Sequence, residues 1–411
     1  MRNKLLSLLL ILLFVLGIGL FVLPQRYESK MEKRLLATNE SIVLDNKLSL
    51  NIENVLKDQF YFRDFLTHNY FEIKTNLNRV INKFVDGSIG LVYKVKGLLN
   101  GGGTIDIDND FKNDVSMLYL SDDVIEINDG YLINGIVEYN DEQLQLASSR
   151  GYNVNEFDKL YPNVKTYIYF PTRLEEMLNS EKENRLLCRE NYLRQLNGNI
   201  SYSALKIGSV EDHQKYFYKS DEHWKAAGAY QGYVDIIDMI SKDYELGPIK
   251  EIEKEIVYDR EFKGNISSKI GMVGSSDKLE DYILKDLGEY DYFANGNKID
   301  LNEAKELYAA NGNDTVYSDY DLYFGDNYFL REFDFHQDNK PNILIFADSY
   351  INTNMSWIAS HFNKTLIIDL RAKPNDFNLD YYINEYDIDI ALIDFTYNTM
   401  YFNGNLYIPI N

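Results

Sequence analysis

Hydrophobic positions run almost unbroken from Leu5 to Leu23, fall at three- and four-residue spacing over much of 28 to 90, and from about Ile125 onward form short apolar runs alternating with helical ones. The first run contains one serine, two glycines and no charge, enough apolar length to cross a bilayer as a single helix. The stretch after it, LPQRYESKMEKR, lacks the small-x-small pattern of a cleavage site, so an uncleaved single-pass anchor is expected over residues 1–24. Arg26, Lys30, Lys33 and Arg34 after the run outnumber Arg2 and Lys4 before it, and this count favours a cytoplasmic domain. A short basic N-terminus ahead of an apolar run is also an export signal, and on that reading the domain is extracytoplasmic, at the cell membrane.

Residues 25–90 read as a helical stalk, carried by IENVLKDQFYFRDFLTHNYFEIKTNLNRVINKF, which has no Pro or Gly breaker. The Gly- and Asp-rich loop that follows places Asp106, Asp108 and Asp110 at alternate positions. It lacks the glycine and the distal glutamate of a calcium loop, so a solvated turn is expected. The remainder, 91–411, reads as one α/β domain. VKTYIYF, NILIFAD, TLIIDL and IDIALIDF are apolar on consecutive positions, the pattern of strands covered on both faces. Their alternation with helical segments predicts an open, mostly parallel, flavodoxin-like sheet with helices on both faces. Between about 241 and 339 the pattern weakens into alternating charge and Gly/Asn/Asp-rich stretches, read as an insertion or cap.

Composition removes some functions. A net charge of −22 opposes binding to nucleic acid phosphates. Cys188 is the single cysteine, which rules out an internal disulfide or a thiolate metal cluster, and its helical surroundings suit a small core residue. No cofactor motif is present.

Two segments carry chemistry. In NILIFADSYINTNMSWIASHF an apolar strand ends at Asp348 and Ser349, and a helix with Met355, Ile358 and Phe362 on one face is expected to follow. A serine at such a strand-to-helix turn exposes its hydroxyl above the sheet edge beside backbone N–H groups suited to an oxyanion. The bland alternative is that Asp348, Ser349 or Asn352 caps the helix. In YFYKSDEHWKAAGAY, Asp221 and His223 are two apart; in an extended segment they share a side, so the carboxylate can orient the imidazole. Asp221 could equally cap the next helix. Asp212, His213, Asp221 and His223 offer a metal-ligand alternative, but no metal-binding spacing supports it, and no metal is expected.

Several blocks along most of the chain occur in the order of a known family: DQFYFRD, KSDEHWKAAGAY, FKGNISSK, FADSY and IIDLR. On them the chain resembles the bacterial DHHW proteins and, more distantly, the SGNH-hydrolase-like proteins of alginate O-acetylation. The resemblance implies a catalytic triad of Ser349, His223 and Asp221 in an order that is a circular permutation of the SGNH scheme. It departs from the family at Glu222, where a second histidine is usual, and at Ala347, where the alginate proteins have glycine. In an extended segment Glu222 would point away from Asp221. The Ser349 and Tyr350 amides are the candidate oxyanion donors, with Arg173 and Asn398 beside other strand ends as candidate oxyanion or substrate contacts. The implied activity is extracytoplasmic O-acyl transfer, O-acetylation of a polysaccharide, with the acyl group supplied by a membrane-bound O-acyltransferase partner. An acetylesterase with the same triad and a non-catalytic glycan-binding scaffold are the alternatives.

Overall fold

The computed structural model describes residues 24–42, 48–60, 62–77, 115, 117–121, 123–135, 140–178, 187–313, 315, 318–325, 328–396, 399–400 and 407–410. The anchor run Leu5–Leu23, the Asp106–Asp110 loop and Asn398 lie outside them. No helix among the described residues is long and apolar enough to cross a membrane.

Eight strands form the main sheet: β1 Lys165–Phe170, β2 Ser201–Ala204, β3 Asp291–Ala294, β4 Asn297–Lys298, β5 Leu330–Asp334, β6 Ile343–Ala347, β7 Lys364–Ile368 and β8 Ile390–Asp394. Their order is β4-β3-β5-β7-β6-β8-β1-β2. The five from β7 to β2 are parallel, while β5, β3 and β4 join antiparallel at one edge. Counted from β6, the parallel part follows the 2-1-3-4-5 order of a doubly wound sheet, except that its last two strands come first in the chain. From β6 the chain passes to β7 on one side and then to β8 on the other. The C-terminal end of β6 is thus the switch point where such sheets open a crevice.

The continuous apolar runs make two cores because alternate strand residues face opposite sides. Tyr167, Tyr169, Ile343, Ile345, Ile390 and Leu392 meet Ala229, Tyr233, Ile236 and Ile240 of the helix Ala226–Ile240. Ile168, Phe170, Leu344, Phe346, Ala391 and Ile393 meet Ala147, Val154 and Phe157 of the helix Asp141–Leu160, with Leu379 and Ile383 beside them. Each buried aliphatic or aromatic side chain contributes about 1.5–3 kcal/mol to holding the sheet between its helices.

Two expectations change. The segment 241–339 does not stand apart as a cap. It supplies β3, β4 and β5 to the main sheet, and the hairpin Ile252–Phe262 with Asp277–Leu284 beside them. Its weak pattern reflects exposure, since most of the first hairpin strand faces solvent. Nor is 25–90 continuous helix. Glu28–Ser29 and Arg34–Leu35 form a small hairpin, and helices occupy Leu48–Asp58 and 63–77. The chain folds back because the Asp58 carboxylate accepts from the Arg34 guanidinium at 2.5 and 2.9 Å and from the Ala37 amide at 2.8 Å.

Candidate functional site

At the end of β6 the chain turns sharply under the control of Asp348. One carboxylate oxygen accepts from the Tyr350 amide at 3.2 Å, capping the 3₁₀ turn Ser349–Thr353. The other accepts from the Thr396 amide at 2.9 Å and from the hydroxyls of Thr396 and Thr399 at 2.7 and 2.8 Å. Those threonines follow β8, so the residue before Ser349 is clamped to the neighbouring strand. The expected single helix is instead this turn and a short helix, Met355–Ala359. Capping belongs to Asp348 alone, and the half-buried Ser349 keeps its hydroxyl for other work.

That hydroxyl lies 2.8 Å from Nε2 of His223, and Nδ1 of His223 lies 2.7 Å from Oδ1 of Asp221. The three residues form one hydrogen-bonded chain. Asp221 and His223 meet by a turn, not by strand periodicity: Asp221 Oδ1 also accepts from the His223 amide at 3.0 Å, inside a bend closed by the Phe217–Trp224 bridge. The helix after it, Ala226–Ile240, has Lys225 at its N-cap and no side-chain cap, so Asp221 is not its cap. The bend also brings Glu222 inward. Its carboxylate lies within 4.8 Å of the ligand atoms of Asp221 and His223, not away from them as an extended segment requires.

Asp221 is held from behind by FKGNISSK, where the Asn265 amide donates to Oδ2 at 2.8 Å. Gly264 packs directly on Asp221, and its amide donates to Ser220 Oγ at 2.9 Å. Ser220 and Lys219 in turn donate their amides, both at 2.7 Å, to the Asp277 carboxylate. Opposite, Tyr320 stacks on the imidazole with ring centroids 3.8 Å apart and planes 5° from parallel. Its hydroxyl is 2.7 Å from Thr353 Oγ1 and 3.1 Å from the Ser349 carbonyl oxygen. Tyr350 closes the other side by donating its hydroxyl to the Glu222 carbonyl.

Burial opposes charge on both partners, but their mutual attraction outweighs it. His223 is raised above its ordinary value by Asp221, with Glu222 and Asp321 adding to the effect. Asp221 is held below the usual carboxylate range by His223 and by the His223 and Asn265 amides. An orienting carboxylate, an imidazole with its outer nitrogen on a hydroxyl, and that hydroxyl at a sheet crevice are the parts needed for nucleophilic acyl transfer.

The other expected residues divide. The Tyr350 amide already donates to Asp348, so it is not an open oxyanion donor; the Ser349 amide has no acceptor among the described residues. Arg173 follows β1, is buried in an ion pair with Glu175, and its charge reaches the Tyr350 phenol. Asn398 is outside the described residues. The four-ligand set does not assemble: His213 stacks on Phe217 with centroids 4.9 Å apart, and Asp212 accepts from the Gly208 amide. His361 is buried against Tyr233, His336 is exposed beside Asp291, and Cys188 is buried. Sequence reasoning missed Tyr320, Gly264, Thr396 and Thr399. Only Gly264 carried a signal, as part of the FKGNISSK block without an assigned role; Tyr320 is one tyrosine among 34.

Fold and site together define a doubly wound α/β protein with a Ser-His-Asp hydrogen-bonded chain at its switch point. No family model matches the chain, and no curated protein matches it either. Solved structures do. PatB1 of Bacillus cereus is 19% identical, with a TM-score of 0.55 over 72% of this chain and 100% of that one, and it has also been solved with a sulfonyl adduct. A DHHW family protein from Eubacterium siraeum is 18% identical, with a TM-score of 0.52 over 72% of this chain and 99% of that one. The O-acetyltransferase domain of Pseudomonas putida AlgJ is 12% identical, with a TM-score of 0.38 over 69% of this chain and 94% of that one. The chain shares the fold of the first two, among them a member of the family that its sequence blocks resemble.

Proposed function

We propose that this protein is an SGNH-hydrolase-like O-acyltransferase, circularly permuted, with Ser349 as nucleophile, His223 as base and Asp221 as the orienting carboxylate. The observation that carries this reading is the unbroken 2.7 and 2.8 Å chain from Asp221 through His223 to Ser349 at the C-terminal end of β6. Ser349 Oγ attacks the acyl carbonyl carbon while Nε2 of His223 takes its proton; the donor's leaving oxygen then takes that proton as its bond to the acyl carbon breaks. An acceptor hydroxyl, deprotonated by the same nitrogen, attacks the acyl-serine carbonyl carbon, and as the bond to Ser349 Oγ breaks that oxygen takes the proton back from Nε2. The Ser349 amide is the donor closest to hand for the oxyanion. The acceptor is a polysaccharide hydroxyl, the acyl group acetyl, and its source a membrane-bound O-acyltransferase. Leu5–Leu23 anchors the chain once in the membrane, with the domain outside the cytoplasm.

The test incubates the full chain with an activated acetyl ester, with and without an oligosaccharide, and compares Ser349→Ala. Transfer to sugar faster than acetate release supports the transferase; acetate release alone makes the protein an esterase. A chain that neither acylates nor reacts with a sulfonyl fluoride at Ser349 is a scaffold, and the proposal fails.

A further inference from the structure

The helix 63–77 has two faces. One docks on the domain: Thr75 is buried, Phe71 packs against the cluster of Leu120, Val124, Leu132, Ile266 and Ile270, and His68 Nδ1 lies 2.8 Å from the Gly271 carbonyl oxygen. Gly271 permits this approach, since its φ is +66° and a Cβ there would stand 3.2 Å from His68 Cα. On the opposite face Leu66, Tyr70, Ile73 and Leu77 follow one another at helical spacing in a stripe about 60° wide, with Phe65 beside it. Their exposures run from 51% at Leu66 to 68% at Ile73. Four exposed apolar side chains in line are a surface built to be covered.

The start of this helix and the residue Gln59 before it are tied to Arg26, three residues past the apolar run. The Arg26 guanidinium pairs with Asp64, the Arg26 amide donates to Gln59 Oε1 at 2.8 Å, and Gln59 Nε2 donates to the Arg26 carbonyl at 2.8 Å. Only Pro24 and Gln25 separate Arg26 from Leu23, a reach of at most about 10 Å. We propose that the helix 63–77 lies on the bilayer, its Leu66–Tyr70–Ile73–Leu77 stripe seated among the lipids while His68, Phe71 and Thr75 hold the domain against its other side. This rests on the anchor reading of Leu5–Leu23: once that run is inserted, Arg26 and its partners stand at the interface, and the stripe begins two residues beyond Asp64. The occupant is a lipid surface because the neighbouring chain leads into one.

The test uses the full chain reconstituted in phosphatidylethanolamine–phosphatidylglycerol vesicles, with Leu66→Cys or Ile73→Cys carrying an environment-sensitive fluorophore and Tyr381→Cys as the exposed control. Cys188 is fully buried, with its thiol pushed up to about 12 by burial, so labelling is confined to the introduced cysteine. The expected result is blue-shifted emission at 66 and 73, quenched several-fold more by nitroxide-labelled lipid than at 381. Chains that float with the vesicles but keep labels at 66 and 73 open to aqueous iodide overturn the proposal and leave the anchor standing. Labels shielded from both iodide and lipid overturn it in favour of a protein cover, a second copy or another segment. Chains that do not float overturn the anchor reading and this proposal together.

Discussion

Replacing Gly264 with alanine disturbs the site from a position that touches neither Ser349 nor His223. A Cβ there would stand 2.2 Å from Asp221 Cβ, 2.4 Å from its Oδ2 and 2.6 Å from its Cα. Carbon atoms rest at about 3.5–4.0 Å, so Asp221 or the 264 backbone must move by roughly 1.3 Å. Retreat of either opens the 2.8 Å bond from the Asn265 amide to Asp221 and turns the carboxylate away from His223 Nδ1. A displacement of about 1 Å in a catalytic group costs roughly 10²-fold in rate, and overpacking a buried site costs about 1–3 kcal/mol. Gly264→Ala is therefore expected to lower kcat for acyl transfer about 10²-fold with KM little changed, and to shift the urea midpoint down accordingly. In an Asp221→Asn background the same change should still reduce stability but add little further loss of rate, because the orienting carboxylate is already gone. Gly198→Ala, where nothing stands within 4 Å of the added carbon, is the control. A Gly264→Ala protein with the wild-type rate and midpoint would show that FKGNISSK does not support Asp221, and the account of the site would fall with it.

The pH dependence follows from the coupled pair. His223 is a base only when neutral, so acylation by an activated ester should rise with pH from the ordinary 6.5 towards about 9, and Asp221→Asn should move that limb to lower pH while cutting the plateau about 10²–10⁴-fold. A limb that Asp221→Asn leaves in place refutes the pairing. For stability the signs are fixed: the raised His223 contributes fully below pH 6.5 and its share is lost as pH rises through about 9, whereas the depressed Asp221 contributes above the usual carboxylate range and its share is lost only in strong acid. Urea midpoints across this range for the wild type and His223→Gln check it. Asp348→Ala leaves the buried Thr396 amide and two threonine hydroxyls without their acceptor, a loss on the order of 3 kcal/mol in urea denaturation and of most sulfonyl fluoride labelling at Ser349. A stable, fully labelled variant would show that the nucleophile turn does not need its clamp.

Much of the sheet was legible because its strands are buried on both faces, which writes an unbroken apolar run into the chain: Ile343–Ala347, Lys364–Ile368 and Ile390–Asp394 are visible as such. The antiparallel edge was not. Leu330–Asp334 carries Arg331 and Glu332 inside the strand and is only partly apolar, so 241–339 read as a cap. The Asp-x-His spacing pointed to two side chains that do meet, but for a different physical reason, since a bend, not an extended segment, joins them, and that difference turned Glu222 inward.

Local pattern by itself determined which residues are apolar on consecutive positions, that Ser349 lies just past the end of a strand, and that Asp221 is close enough in sequence to reach His223. It could not determine that Ser349 and His223, 126 residues apart, share a hydrogen bond. That was decided by strand order, because placing β6 between β7 and β8 puts Ser349 at the switch point, and the helix Ala226–Ile240 packed on the same face brings the end of its preceding bend to meet it. The same holds for Tyr320, Gly264 and the Asp348 clamp. Their roles lie in contacts between distant segments, and sequence periodicity records only the side of an element that is buried, not what it is buried against.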